Sequence, residues 1–237
     1  MRETLLTIAE ALPWILNGAG ITVGAVAAAL LLGFVLGVPM AVAQVYGGPV
    51  TRRLVGLYVW FFRGVPILVL LYLFYFGLVY QLSPLQFSLF GKDFRIVIAL
   101  SPFMASCLVL GLVSAAYQSQ IFRGAINSLP SGQLKAARAL GMRDSASIAF
   151  IILPQALRQS LPGWSNEYSI LLKDSALVSV IGTMELMART KAIATSTAEY
   201  LAFYLTAALL YFLLTWIGLR ALRFAEKAFR IPGYSHS

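Results

Sequence analysis

Long hydrophobic stretches alternate with short charged clusters along this chain. No charged residue occurs among the 41 residues between Glu10 and Arg52, or among the 27 residues of 96–122. About 20 apolar residues cross the hydrocarbon core of a bilayer, where a backbone must satisfy its own hydrogen bonds. The pattern therefore predicts an all-α integral membrane protein. The five predicted membrane-spanning helices cover about 19–46, 54–80, 95–122, 149–172 and 200–222.

Composition supports a single membrane domain over residues 1–237, since 59% of the residues are hydrophobic and 11% are charged. The first residues lack the basic region and cleavage site of a signal peptide, so we expect them to be retained as a short interfacial helix. The single cysteine, Cys107, excludes a disulfide framework and a cysteine-based metal site. We therefore expect no metal site and treat Cys107 as a small buried apolar residue.

The distribution of charge predicts the orientation in the membrane. Basic residues near the ends of spans favour the cytoplasm. Ten of them fall on one side of the predicted topology against two acidic residues, whereas the other side is balanced. The amino terminus is then outside, and the carboxyl terminus and the loop at about 123–148 are cytoplasmic. The net charge of +9 thus indicates topology and attraction to anionic membrane lipid, with no role in nucleic-acid binding.

The cytoplasmic loop contains a predicted short helix at 132–142. Gly132 can open this helix and Gly141 can close it, because glycine tolerates the positive φ of many helix ends. Small residues such as Ala136 and Ala137 allow another surface to approach the backbone. An amphipathic helix on lipid headgroups is the alternative, but this helix has no large apolar stripe. We therefore interpret the loop as a docking surface for a second protein.

Five ordered segments carry a resemblance to a known family. The second predicted span contains Phe62-Arg63-Gly64-Val65-Pro66, and the loop region contains the segments 117–126, 132–141 and 152–158. The fourth span ends in a further matching segment, 166–177. These segments resemble the permease subunits of polar amino acid ABC importers. Any one of the patterns is weak evidence, but their order and the predicted topology agree with that family over about 15–226.

The resemblance implies a type I importer permease fold, a prokaryotic plasma-membrane location and work as a dimer, either of identical subunits or of paralogous ones. It also implies two ATP-binding subunits, a solute-binding protein on the outer face and a polar amino acid as substrate. The cytoplasmic helix would be the coupling helix that seats in the ATP-binding subunit. The residues implied for this contact are Gly132, Gln133, Lys135, Ala136, Ala137, Leu140, Gly141 and Met142.

The chain carries no phosphate-binding loop of the type Gly-x-x-x-x-Gly-Lys-[Ser/Thr]. We therefore expect a non-catalytic subunit without a cofactor of its own, with ATP and magnesium on the partner. A secondary transporter driven by an ion gradient is the alternative, but it predicts inverted repeats, and we find none that convinces. An intramembrane enzyme would need a nucleophile–base pair or a metal cluster, which one histidine and one cysteine do not supply.

Two residues depart from the family pattern. Gln120 and Lys135 stand where relatives usually carry glutamate, and Lys135 reverses the charge at the expected contact with the ATP-binding subunit. We favour an acidic residue in the partner as compensation. A paralogous second permease carrying the usual glutamate remains open.

The substrate site is expected where polar and ionisable residues enter the membrane, because such residues usually face a cavity or a partner. Arg63 and Lys173 would bind a carboxylate, and Glu167 and Asp174 an ammonium group. Gly64 and Pro66 can break the second span and direct free backbone groups at a cavity, and a plain kink in a packed helix is the alternative. A structural ion-pair network around Lys173 is the alternative, and Arg158 is interpreted as an interface anchor. The predicted substrate-binding residues are Arg63, Gly64, Pro66, Asn166, Glu167, Lys173, Asp174 and Ser175. They do not identify the amino acid.

Overall fold

A computed structural model of the chain describes the backbone of residues 2–79, 85–89, 92–96 and 100–229, and the side chains of 4–77 and 100–229. Nearly all of it is helical, which confirms the predicted class. The helices are α1 (Arg2–Tyr46), α2 (Pro49–Gly64), α3 (Ile67–Tyr72), α4 (Pro102–Ser128), α5 (Gly132–Ala139), α6 (Asp144–Ser147), α7 (Leu153–Gln159), α8 (Leu161–Asp174), α9 (Leu186–Thr197) and α10 (Tyr200–Ala228). π-Helical segments follow α3 (Leu73–Val79) and precede α7 (Ile148–Ile152), and a 3-10 helix follows α8 (Ser175–Ile181). An antiparallel hairpin pairs β1 (Leu85–Leu89) with β2 (Lys92–Ile96).

By length and composition, three of the described helices can cross a membrane: α1, α4 and α10. The pair α2 and α3 makes a fourth span if counted together, although its two halves are bent by 105°. Two predicted boundaries need correction. The span predicted from 95 begins at Pro102, because β2 occupies the start of that hydrophobic stretch. The amino-terminal segment is not a separate interfacial helix but the first part of α1.

The fourth predicted span, 149–172, is not one regular helix. It contains a π-helical segment, then α7, then α8, with a break at Ser160. Proline causes both irregularities. Pro154 and Pro162 lie in the first turns of α7 and α8, and a proline lacks the amide hydrogen and collides with the preceding turn. A prediction of five regular spans is therefore too simple for this region.

A ladder of small residues holds α1 against α4. Ala25, Ala29, Gly33, Gly37 and Ala41 recur at every fourth position of α1 and so share one face. The three alanines are fully buried. A Cβ added at Gly37 would lie 3.1 Å from the Cβ of a residue in α4, which leaves no room for a larger side chain. Small residues at such spacing allow close approach of membrane helices.

The largest apolar core lies where this helix pair meets α3 and the end of α8. Leu70 and Leu71 of α3, Val109 and Leu110 of α4, and Leu172 of α8 are fully buried there. Helix α10 instead keeps most of its length exposed, with only Phe203 and Ala207 buried. The core thus fixes the relative positions of the broken helices, while α10 covers one side.

Candidate functional site

The cytoplasmic helix α5 ends in a closed, fixed geometry. Gly141 adopts φ +81°, the left-handed conformation that favours glycine. Its amide donates to the Arg138 carbonyl at 2.9 Å, and the Met142 amide donates to the Ala137 carbonyl at 3.0 Å. These two bonds form a Schellman motif, which satisfies carbonyls that a helix end otherwise leaves unpaired. The predicted helix at 132–142 is confirmed as α5 with this closing turn.

Both ends of α5 are fastened to neighbouring segments. Gln133 and Gln155 donate to each other's side-chain oxygens at 2.9 and 3.0 Å, which ties the start of α5 to α7. Arg138 donates two hydrogen bonds of 2.7 Å to the Asp144 carboxylate, which ties its end to α6. The hydrogen bond from Arg138 keeps the pKa of Asp144 below its ordinary value. The helix is therefore held as a rigid unit.

The outward face of α5 is open. Ala137 is buried (2% exposed), whereas Leu140 is 84% exposed and Lys135 and Ala136 are also exposed. Of the other predicted contact residues, Gly132 and Gly141 are exposed, and Gln133 and Met142 are half-buried. An exposed leucine beside small residues and a lysine forms a compact surface. We call Lys135, Ala136, Ala139 and Leu140 the coupling surface.

Gln120, one of the two departures from the family pattern, lies in a polar contact between α1 and α4. Its amide nitrogen donates to the side-chain oxygen of Gln44 at 3.0 Å, and its oxygen accepts from Arg123 at 3.3 Å. The amide thus acts as both donor and acceptor, whereas an ionised glutamate is only an acceptor. Glutamine therefore suits this particular pair of neighbours.

The predicted break in the second span is present. Val65 has extended backbone (φ −95°, ψ 131°) and separates α2 from α3, as expected for a residue before proline. Arg63 and Gly64, at the end of α2, are exposed, and the guanidinium of Arg63 lies 4.8 Å from the centre of the Tyr117 ring. A Cβ added at Gly64 would contact nothing within 4 Å. The break thus presents an arginine and an aromatic ring beside open space.

Glu167 lies at the end of a line of hydrogen-bonded side chains that begins at the half-buried Trp164 and continues through the buried Gln118 and Ser114. Ser114 donates to Glu167 at 2.8 Å, Gln118 donates to Ser114 at 2.9 Å, and Trp164 donates to Gln118 at 2.8 Å. Gln118 also donates to the Leu30 carbonyl of α1 at 3.0 Å. We call Trp164, Gln118, Ser114 and Glu167 the buried polar chain. It connects α8 to the close pair of α1 and α4.

The other predicted substrate residues do not share one environment. Asn166 and Lys173 are exposed, Asp174 is half-buried and Ser175 is buried, with its hydroxyl donating to the Leu172 carbonyl at 2.7 Å. The structure places Arg63 and Asp174 near enough to Glu167 to act on it electrostatically. Among the side chains that are described, the one ion pair is that between Arg138 and Asp144. The proposed ion-pair network around Lys173 is therefore absent from the described side chains.

Glu185, one of the acidic residues on the predicted outer face, is completely buried. It caps α9 by accepting from the amides of Met187 and Ala188 at 2.9 and 2.7 Å. The hydroxyls of Thr22 and Tyr211 also donate to it. Four donors on three helices compensate the burial of this carboxylate, so it joins α1, α9 and α10.

Sequence reasoning missed the polar partners of both buried carboxylates. Ser114 and Gln118 are four residues apart within an uncharged stretch, a spacing that places them on one helix face. A polar pair with that spacing in a predicted span was a usable signal. Thr22 and Tyr211 had no comparable signal, since their contact with Glu185 depends on how three distant helices pack.

Bent and broken membrane helices, an exposed arginine at the bend and a rigid polar loop are typical of the membrane component of a transporter. Residues 20–231 match the family described as binding-protein-dependent transport system inner membrane component. The chain belongs to this family, which confirms the predicted permease identity. Dependence on a binding protein supports the importer over the alternative of an ion-gradient transporter.

Individual relatives agree with this membership. The chain is 42% identical over 211 residues to the octopine transport system permease protein OccQ of Rhizobium meliloti, covering 89% of this chain and 88% of that protein. It is 35% identical over 234 residues to the arginine ABC transporter permease protein ArtQ of Escherichia coli, covering 89% and 96%. A crystal structure of an amino acid ABC transporter with histidines matches with a TM-score of 0.78 and 30% identity, covering 94% of this chain and 97% of that one.

Proposed function

We propose that this chain is the transmembrane subunit of an ATP-driven importer for a polar amino acid, delivered by a solute-binding protein. In this proposal, two separate ATP-binding subunits hold ATP and magnesium. A second permease, identical or paralogous, completes the pathway. The orientation follows the charge distribution, with the amino terminus outside and the carboxyl terminus in the cytoplasm. Two relatives are named as permeases for octopine and for arginine. These names support an amino acid or a close derivative as the substrate of this chain.

The observation that carries this proposal is the geometry of α5. A short helix that is closed by Gly141, fastened at both ends and open on its outer face is suited to receive a push from another protein. A flexible loop would change its own conformation when the partner protein displaces it. A rigid helix instead transmits the displacement to the helices that hold it. Through Gln133 and Gln155 the movement reaches α7, and through Arg138 and Asp144 it reaches α6.

For the substrate, we propose a site beside the break in the second span. Arg63 is exposed there next to the open space at Gly64, so its guanidinium is available to a carboxylate. Glu167 and Asp174 lie in the same neighbourhood and supply the negative charge that an ammonium group requires. Pro66 fixes the bend, while Asn166 and Lys173 border the site from the exposed side of α8, and Ser175 follows its end.

The coupling role is tested by Gly141→Val, with Gly141→Asn as its matched control. Valine disfavours the left-handed conformation by about 1–2 kcal/mol or more, whereas asparagine visits it readily. We expect Gly141→Val to lower ATP-dependent uptake about tenfold in proteoliposomes that contain the ATP-binding subunit and the solute-binding protein. Gly141→Asn should retain most of the uptake. Size-exclusion chromatography of the permease would show that the membrane assembly is intact in both variants.

Two results would contradict the proposal. Normal uptake by Gly141→Val would mean that the closed geometry of α5 is not needed for coupling. Uptake by the unmodified protein in vesicles without ATP or without an ATP-binding subunit would exclude an ATP-driven importer altogether.

The substrate site is tested separately with Arg63→Gln and Glu167→Gln, each compared with Arg158→Gln, an exposed arginine on α7 that is not among the proposed substrate residues. The amide at position 167 still accepts from Ser114, so it removes the charge and keeps the hydrogen bond. We expect both site variants to lose most uptake and the control to keep it. If Glu167→Gln transports normally, Glu167 acts only within the buried polar chain.

A further inference from the structure

Helix α10 presents one continuous face that changes from apolar to basic along its length. Leu205, Leu209 and Phe212 are 62%, 58% and 63% exposed, and Trp216 follows them at 47%. Arg220, Arg223 and Lys227 continue the same face and are exposed. At 100° per residue, Trp216 and the three basic residues fall within about 60° around the helix axis. We call Arg220, Arg223 and Lys227 the basic stripe.

The position of the basic stripe along α10 matches the depth of lipid headgroups. The uncharged part of the helix, 200–219, has 20 residues, which is about 30 Å at 1.5 Å per residue. That length equals the hydrocarbon core of a typical bilayer. Arg220 therefore lies at the edge of the core, Arg223 and Lys227 lie in the headgroup layer, and Trp216 lies where aromatic side chains favour the interface.

The local charges leave the basic stripe available to an anion. Within the described side chains, neither arginine nor Lys227 forms an ion pair. Glu226, the acidic residue at this end of α10, is half-buried and lies about 60–120° away from the three bases around the helix. The Arg220 guanidinium lies 4.9 Å from the centre of the Trp216 ring, and Arg223 donates to the Leu219 carbonyl at 3.2 Å. Both side chains are thus held beside the helix at the interface.

We propose that the basic stripe of α10 binds the headgroup of an anionic phospholipid, whose acyl chains lie on the exposed apolar face above it. A second copy of this chain fits less well, because it would bring an identical set of cations against the first. An ATP-binding subunit fits less well, because the exposed leucines and Phe212 continue directly above the stripe, at the depth of the hydrocarbon core. The proposed topology places the basic stripe in the cytoplasmic leaflet, but the proposal of lipid binding does not depend on that orientation.

Trp216 provides a local probe for this site. The full-length protein is placed in nanodiscs of zwitterionic lipid that contain a minor fraction of brominated phosphatidylglycerol, or the same fraction of brominated phosphatidylcholine. Bromine quenches tryptophan only at short range, and subtraction of the Trp216→Phe signal isolates this position. Each base near an anionic surface contributes on the order of fivefold, and salt reduces the product. We therefore expect about tenfold enrichment of the anionic lipid at Trp216.

The test compares two triple variants of equal charge loss. Arg220→Gln, Arg223→Gln and Lys227→Gln together should abolish the preference for the anionic lipid. The control combines Arg53→Gln, Arg143→Gln and Arg158→Gln, three exposed arginines outside the stripe, and should retain the preference. Equal quenching by both lipids in the unmodified protein, or an unchanged preference in the stripe variant, would overturn the proposal. Loss of the quenching on addition of the ATP-binding subunit would assign the surface to that protein instead.

The measurement does not depend on transport. A protein that binds the anionic lipid but takes up no amino acid would leave this inference standing and contradict the proposed function. A protein that transports but shows no lipid preference would do the reverse.

Discussion

Replacement of Gln118 by leucine tests whether the buried polar chain holds α8 against α1 and α4. The amide makes three hydrogen bonds, to the Leu30 carbonyl at 3.0 Å, to Ser114 at 2.9 Å and from Trp164 at 2.8 Å. Leucine has a similar size but makes none of them. Buried hydrogen bonds contribute about 0.5–1.5 kcal/mol each in soluble proteins, and about 0.6 kcal/mol on average in one membrane protein. The loss of three therefore predicts about 2–4 kcal/mol.

The assay is equilibrium unfolding in mixed micelles of mild detergent and dodecyl sulfate, followed by circular dichroism, which gives the free energy of unfolding. Gln159→Leu is the matched control, because Gln159 accepts one exposed hydrogen bond from Ser128 and should cost less than about 1 kcal/mol. Trp164→Phe removes the indole donor and completes a double-mutant cycle with Gln118→Leu. Since both residues belong to one network, their effects should be less than additive by about 0.5 kcal/mol or more.

The reasoning is refuted if Gln118→Leu destabilises the protein no more than Gln159→Leu. It is also refuted if the effects of Gln118→Leu and Trp164→Phe add without coupling, because the hydrogen bond between the two side chains would then contribute nothing. In either case the position of Glu167 would not depend on the buried polar chain, and the burial of Glu167 would need another explanation.

Three further predictions concern single positions. Gly33→Ala should destabilise the protein by about 1–3 kcal/mol, because the added Cβ overlaps the buried polar chain. Gly20→Ala in the same helix meets nothing within 4 Å and should be neutral or stabilising in the same unfolding assay. Lys135→Glu should weaken binding of the ATP-binding subunit about fivefold if that partner carries a compensating acid. Arg143→Glu is the control, and equal effects in a binding assay would exclude a specific contact. The depressed pKa of Asp144 means that its ion pair persists at neutral pH and is lost as the pH falls through that lowered value. Hydrogen exchange of α5, corrected for intrinsic rates, should then rise on acidification in the unmodified protein and not in Asp144→Asn.

The fold class and α5 were predictable because their signals are local. A charge-free stretch longer than the bilayer core predicts a span without reference to any other part of the chain. Gly141 likewise ends its helix through its own left-handed backbone conformation. Gly132 does not begin the helix in this way, because it is the first residue of α5 after Ser131 and has no positive φ. The bend at Pro66 belongs to the same kind, since a proline restricts its own residue and the one before it.

The errors came from segments where hydropathy and backbone chemistry disagree. Residues 149–172 are apolar enough to predict one regular helix, but Pro154 and Pro162 divide them into α7 and α8. The stretch from 95 is apolar as well, yet its start belongs to β2, which ends at Ile96, and the helix begins only at Pro102. Hydropathy measures the preference for lipid and contains no information on where a helix must be interrupted.

The candidate site was only partly predictable, because burial depends on tertiary packing. Glu167 and Lys173 were placed on neighbouring stripes of one helix, but the structure buries Glu167 and leaves Lys173 exposed. The difference arises from α4, whose Ser114 lies against one side of α8 and offers a hydroxyl there. A helical periodicity shows which residues share a face, but not which neighbour that face will contact.

The order of the contacts indicates how movement at the coupling surface would reach the proposed substrate residues. Gln133 ties α5 to α7, whereas Glu167 and Trp164 tie α8 to α1 and α4. Between these two attachments the chain has its break at Ser160. A push on α5 would therefore move α7 directly, but it would move α8 only if the break transmits it or if the buried polar chain yields. The proline-induced break thus lies between the segment that is fastened to α5 and the segment that is held by the buried polar chain.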